Sequence, residues 1–169
     1  MPRRFRRIVP DGSGPSAGLV LDKAGNLYGT AYGGASHRGT VFKLAPNPDG
    51  TWTESVLHSF TGGWDGGAPF SELVFEPGGN PYGTAFWGGI TSASCDAGCG
   101  VVFKLKPSSS GWSETVLHNF LSFGKYPQAP VIFDPTGNLY GTASEGNDVF
   151  NYGLVFEITR VGAVDSRKR

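Results

Sequence analysis

Three copies of one short stretch organise this chain: Gly25-Asn26-Leu27-Tyr28-Gly29-Thr30, Gly79-Asn80-Pro81-Tyr82-Gly83-Thr84 and Gly137-Asn138-Leu139-Tyr140-Gly141-Thr142. The copies start 54 and 58 residues apart (79 − 25 and 137 − 79). A period above fifty that is built from strand-like segments is typical of propeller blades rather than of helical solenoids. The chain is therefore predicted to be a tandem array.

The sequence around each copy repeats as well. An apolar segment precedes each copy at 19–21, 73–75 and 131–133, and a Val-Phe segment follows it near 41–42, 102–103 and 155–156. A fourth, alternating segment occupies 52–60 and 112–120. Each unit is thus predicted to contain four strands, which gives units at about 11–60, 65–120 and 124–159 in one repeat domain, 1–159. Residues 5–9 are expected to complete the last unit, and 160–169 to form a basic tail.

The turn chemistry agrees with an all-β chain. Glycine accounts for 27 and proline for 12 of the 169 residues, and no segment has helical periodicity. Asp22 and Asp134 begin turns in which the carboxylate can accept backbone hydrogen bonds, and Glu76 replaces Asp in the second unit. The predicted fold is all-β, with three propeller-type four-stranded repeats that form a partial or oligomer-completed β-propeller.

The charge distribution disfavours nucleic acid as a partner. The formal net charge is zero, but eight of the fourteen basic residues lie at the two ends of the chain. Residues 8–159 contain six basic and thirteen acidic side chains, which gives 6 − 13 = −7. A nucleic-acid-binding body would need a basic face. No apolar run is long enough for a membrane span.

Cys95 and Cys99 lie four residues apart in an insertion of the second unit. A local disulfide is the favoured interpretation, and two free thiols are the alternative. A closed zinc site needs four ligands, and the three histidines are distant in sequence, so no metal or other cofactor is expected. His58 and His118 occupy one repeat position, which indicates a structural role.

Taken together, the Asp-Gly-x-x-Pro, Asp-x-x-Gly-Asn-Leu-Tyr-Gly-Thr, Gly-Thr-Val-Phe-Lys-Leu and Thr-Val-Leu-His-Ser-Phe segments resemble the GloVer repeat of bacterial choice-of-anchor tandem-repeat proteins. A looser similarity holds to kelch and NHL-type propeller blades. The resemblance implies propeller-like repeats, an extracellular or cell-surface location, and no assigned chemistry. The chain starts without a secretory signal, so the sequence alone leaves a cytoplasmic location open.

Residues that differ between units are the candidates for a ligand or partner surface, because repeated positions build the scaffold. Five large aromatic residues in or beside loops meet this criterion: Trp64, Phe86, Trp87, Phe123 and Tyr126. Exposed aromatic side chains can stack on sugars or anchor a protein partner. The competing interpretation is that they cap the ends of the blade core.

The favoured hypothesis is a non-enzymatic binding or scaffolding module with a carbohydrate or protein ligand. One alternative is a propeller-type hydrolase or lyase acting on carbohydrate, which requires carboxylates or histidines that converge at one end. Another is a fragment of a longer repeat protein without independent function. Since propellers close with four to eight blades, three blades predict a homodimer or further repeats in a longer chain.

Overall fold

A computed structural model describes residues 12–121, 124–146 and 152–159, and the backbone of 164–165. These residues form three antiparallel four-stranded sheets and contain no helix. The first sheet contains β1 (Val20–Leu21), β2 (Leu27–Ala31), β3 (Thr40–Pro46) and β4 (Trp52–Ser59). The second contains β5 (Val74–Phe75), β6 (Pro81–Ala85), β7 (Val101–Ser108) and β8 (Gly111–Asn119). The third contains β9 (Ile132–Phe133), β10 (Leu139–Ala143), β11 (Leu154–Ile158) and β12 (Val164–Asp165).

The strands of each sheet lie side by side in chain order. The prediction of an all-β chain of three propeller-like repeats is confirmed, and the sheets are open. The edge beside β11 holds β12, which comes from the segment predicted as a basic tail and pairs Val164 with Ile158. Residues 5–9, which were expected to complete this unit, lie outside the described residues.

A carboxylate in the turn before β2 explains why the repeated stretch contains Asn and Tyr. Asp22 Oδ1 accepts hydrogen bonds from the backbone amides of Ala24 and Asn26, both at 2.9 Å. Asp22 Oδ2 accepts from Asn26 Nδ2 at 2.8 Å and from the Tyr28 hydroxyl at 3.1 Å. Burial acts to raise the pKa of Asp22, but these hydrogen bonds outweigh it and leave the pKa below its ordinary value.

The third unit repeats this turn, and the second unit changes it. Asp134 accepts from Asn138 and Thr136, and although desolvation opposes them, these bonds lower its pKa to about 2. Glu76 likewise accepts from the side chain of Asn80 and from the Tyr82 hydroxyl, the latter at 2.7 Å, but it also lies 3.0 Å from Lys104 Nζ. The longer Glu side chain is therefore held by an ion pair as well as by the tyrosine.

The junctions between neighbouring units also repeat. The Tyr28 ring meets the edge of Phe75 in the next unit, with centroids 5.0 Å apart, and Tyr82 meets Phe133 at the same distance. Each junction encloses an apolar core, one between the first and second units and one between the second and third. The units therefore stack in one direction, and each tyrosine face packs on the first strand of the following unit.

Candidate functional site

Four aromatic rings form a continuous series across the three units. Tyr32 stacks on Phe70, with centroids 5.6 Å apart and planes 2° from parallel. The Phe70 ring meets Phe86 edge to face at 5.7 Å. The Phe86 ring then stacks on Tyr126 at 4.8 Å and 18°. These distances lie within the 4.5–7 Å range typical of favourable aromatic pairs.

Trp87 packs beside this series and completes what we call the aromatic row, the set Tyr32, Phe70, Phe86, Trp87 and Tyr126. The indole meets Phe86 at 5.6 Å and Tyr32 at 6.3 Å, both edge to face. Tyr32 is 42% exposed, and the other four side chains are half-buried. The row therefore presents ring surface to solvent while its members hold one another in place.

Loop backbone at the ends of the second strands positions the row. Tyr32 follows β2 and Phe86 follows β6, at the same repeat position. The Phe86 amide donates to the carbonyl of Ala68 at 3.1 Å, and Ser144 in the third unit donates to that of Tyr126 at 3.3 Å. Each of these units therefore joins its own two loops by the same backbone hydrogen bond, but the side chains at the bonded positions differ between units.

Tyr126 has a left-handed backbone with φ 60°. The equivalent residues are Gly14 (φ 68°) and Ala68 (φ 53°), so the loop requires this conformation in all three units. Glycine adopts it freely, whereas a bulky side chain is strained there. The third unit thus places a ring at a position where glycine would fit the backbone more easily, and strain of this kind is concentrated at functional sites.

A disulfide supports Tyr126 from the second unit. Cys95 and Cys99 are bonded, with Cα atoms 5.3 Å apart, and both are buried. The carbonyl of Cys99 accepts the Tyr126 amide at 2.8 Å, and the carbonyl of Ala97 accepts the Gly88 amide at 2.8 Å. The insertion is therefore fixed between the loop that carries Trp87 and the loop that carries Tyr126.

The structure brings together three of the five aromatic residues selected from the sequence. Phe86, Trp87 and Tyr126 belong to the aromatic row. Trp64 is 72% exposed and is not among the ring contacts of the described residues. Phe123 lies outside the described residues.

Sequence reasoning overlooked Tyr32 and Phe70. Tyr32 corresponds to Phe86 and Ser144 in the other units, and Phe70 corresponds to Gln128 in the third. Both are therefore unit-specific large rings, and the same criterion that selected Phe86 would have found them.

A second cluster joins titratable groups of the first and second units. His58 Nε2 lies 3.3 Å from Asp65 Oδ2, but the angle between the two groups is not that of a hydrogen bond. Burial lowers the pKa of His58 despite the opposing effect of Asp65. Glu114 is partly buried on β8, and burial together with the charge of Asp65 raises its pKa to about 7. A carboxyl group whose pKa is raised towards neutral pH can donate a proton as a general acid.

His118, the repeat equivalent of His58, packs its ring on Phe120 at 4.7 Å, as His58 packs on Phe60 at 4.6 Å. Burial lowers the pKa of His118 as well. Both imidazoles therefore have a shared packing contact beside the phenylalanine that follows the fourth strand. This contact supports the structural role predicted for the repeated histidine.

A groove of about 560 Å³ lies between the turns that follow β5 and β9. Glu76 and Asp134 line it, together with Tyr82 and Phe133. Their carboxylates already accept hydrogen bonds from side chains of their own units. The two carboxylates that line the groove are therefore engaged in the turns of their own units.

Two further observations concern the described part of the chain. It contains no group of three or more His, Cys, Asp or Glu side chains that could hold a metal ion. Its elements include no helix long and apolar enough to cross a membrane.

Three open sheets joined by repeated junctions define a tandem-repeat protein with propeller-like units. The family model of the Gloeobacter/Verrucomicrobia repeat matches residues 4–167, and the chain belongs to this family. The resemblance to the GloVer repeat is thereby confirmed. No curated protein matches the chain.

Proposed function

We propose that this repeat module is a non-enzymatic binding protein that holds a neutral carbohydrate chain along the aromatic row. One observation carries the proposal: five rings that differ between the units meet in a single, partly exposed row across all three. The residues that repeat in every unit are sufficient to account for the scaffold, so these five rings are not needed for it. We further propose a location at the bacterial cell surface, on the basis of the family resemblance.

The surroundings of the row favour carbohydrate over an anionic polymer. Residues 8–159 have a net charge of −7, which repels nucleic acid and acidic glycans. Exposed polar groups flank Tyr126, where Gln128 Nε2 donates to Ser144 Oγ at 3.3 Å. An apolar ring surface with a few polar groups at its edge matches a sugar, which has an apolar face and peripheral hydroxyls.

Affinity electrophoresis in gels that contain soluble neutral glucan, mannan or galactan tests the proposal. We expect one of these polysaccharides to retard the wild-type protein. Tyr32→Ala and Tyr126→Ala should weaken the retarding interaction at least about tenfold, a loss of roughly 1.4 kcal/mol. The matched control is Tyr152→Ala, which removes an exposed tyrosine outside the row. Failure of every polysaccharide, or equal weakening by the control, would contradict the proposal.

A second candidate function is hydrolysis of a carbohydrate, and the pKa of Glu114, which burial and the charge of Asp65 raise to about 7, favours it. Glycoside hydrolysis uses a carboxyl group of raised pKa as its general acid. Release of reducing ends from the same polysaccharides, abolished in Glu114→Gln, would support this function. Absence of release with retained binding would support the binding module.

A further inference from the structure

The first and third units each expose a face whose equivalents are buried at both internal junctions. We call the face of a unit that contacts the next unit its forward face, and the face that contacts the previous unit its rear face. On the forward face, Val41 and Val102 are fully buried by the following unit. Their equivalent in the third unit, Val155, is 54% exposed.

Other forward-face residues show the same contrast. Thr30 Oγ1 donates to the carbonyl of Ser71 at 3.1 Å, and Thr84 Oγ1 donates to that of Ala129 at 3.2 Å. Both threonines are buried, whereas Thr142 is exposed. The third unit therefore carries a bonding group that the first two units use for their junctions.

The first strand of the third unit adds apolar area to this face. Val20 and Val74 pack against the cores of the first and second junctions, respectively. Ile132, which occupies their position in the third unit, is 63% exposed.

The rear face of the first unit is the complementary surface. Leu73 and Val131 are buried against the preceding unit, but their equivalent Leu19 is 47% exposed. Leu21 is also exposed, at the position from which Phe75 and Phe133 meet the tyrosines of the preceding units. The first and third units thus expose the two halves of a junction that the chain forms twice internally.

We propose that a second copy of this chain completes these junctions head to tail. The forward face of the third unit docks on the rear face of the first unit of the other copy. The Tyr140 ring packs on Leu21, and Val155 packs on Leu19. Thr142 Oγ1 donates to the carbonyl of Ala17, which occupies the position of Ser71 and Ala129 two residues before the first apolar strand residue.

Two copies contribute 2 × 3 = 6 units. Six lies within the range of four to eight blades in which propellers close, whereas three copies would give nine. A head-to-tail contact closes into a ring when its rotation permits and otherwise propagates. The proposal is therefore a closed dimer with two identical junctions. It is independent of carbohydrate binding, because the aromatic row lies at the internal junctions.

Size-exclusion chromatography with light scattering tests the dimer. The chain mass is 17.9 kDa, so the expected mass is 2 × 17.9, about 36 kDa. Leu19→Lys and Val155→Asp should each shift the protein to the monomer mass. Ser110→Asp, in the exposed turn between β7 and β8, is the matched charge control and should stay dimeric.

Mixing the two monomeric variants tests the polarity of the contact. The mixture retains one intact junction, and the other brings the new lysine to the new carboxylate, so the dimer mass should return. Any of four outcomes would overturn the proposal. The wild-type protein could remain a monomer, both variants could remain dimers, the mixture could stay monomeric, or open assemblies larger than a dimer could form. A variant with altered circular dichroism is replaced by Leu21→Lys or Thr142→Glu on the same faces.

Discussion

Gly83 lies directly across the β6–β7 ladder from Phe103, and the phenylalanine ring covers the space that a side chain would need. A Cβ at Gly83 would lie 2.7 Å from Phe103 Cζ. The same pairing joins Gly141 to Phe156, where the corresponding distance is 2.4 Å. Glycine in the repeated stretch is thus required by the phenylalanine of the following strand, which packs over it.

Replacing Gly83 by alanine should therefore destabilise the second unit. Phe103 is fully buried and has no room to move away from a new methyl group. We expect a loss of about 1–3 kcal/mol in the free energy of unfolding, the usual cost of overpacking a core. Urea denaturation measures it. Gly78→Ala is the control, because its Cβ would meet atoms no closer than 3.5 Å. Equal losses in both variants would show that the ring does not impose the glycine.

Acid should destabilise the turns that precede the second strands. The folded protein holds the pKa of Asp134 at about 2, below its ordinary value of 3.8, and also lowers that of Asp22. A depressed carboxyl pKa stabilises the fold above the unfolded value, and this stability is lost as pH falls through the folded value. The melting temperature should therefore fall between about pH 4 and pH 2.

Asp134→Asn tests the origin of this acid effect. The variant should melt lower than the wild type at pH 6 and lose less on acidification, because the titrating group is absent. Thermal melts from pH 6 to pH 2 provide the comparison. Asp96→Asn, which changes an exposed residue of the insertion, should keep the wild-type profile. An unchanged acid response in Asp134→Asn would contradict the role of the turn.

The scaffold was predictable because its interactions are local or repeated. Asp22, Asn26 and Tyr28 lie within seven residues, so one contiguous motif specifies the turn that they form. The aromatic row instead depends on contacts between residues that are distant in sequence. Tyr32 and Phe70 are 38 residues apart in sequence and meet only because two units stack. The sequence identified unit-specific rings as candidates but had no means of showing which of them share a surface. It grouped Trp64, which makes no ring contact among the described residues, with three members of the row.

Glu114 should destabilise the protein at neutral and alkaline pH. Its pKa is raised to about 7 from an ordinary value of 4.5, so the folded state retains a proton that the unfolded state has lost. Stability therefore declines as pH rises from about 4.5 to 7. The full shift corresponds to about 3 kcal/mol. Since the side chain is only partly buried, we expect about 1–2 kcal/mol after solvent screening.

Glu114→Gln should consequently unfold at higher urea concentration than the wild type at pH 8, with the difference disappearing near pH 4. The matched control is Glu54→Gln, which changes the exposed equivalent in the first unit and should alter stability by less than about 0.5 kcal/mol. A Glu114→Gln variant that is less stable at pH 8 would show that the ionised carboxylate is well accommodated.

Removing the disulfide should affect both stability and the aromatic row. Cys95 and Cys99 lie four positions apart in sequence, and closing a loop of this length is worth roughly 2 kcal/mol in the chain-entropy description. The Cys95→Ala/Cys99→Ala variant should lose about that much.

Because the Cys99 carbonyl accepts the Tyr126 amide, this amide should exchange faster with deuterium in the same variant. The amide of Glu145, bonded to Lys125 at 3.2 Å, is the internal control. Since Tyr126 then loses the support that holds its strained backbone, polysaccharide should retard this variant less than the wild type, as it should the Tyr126→Ala variant. Unchanged exchange at the Tyr126 amide would mean that the insertion does not position the ring.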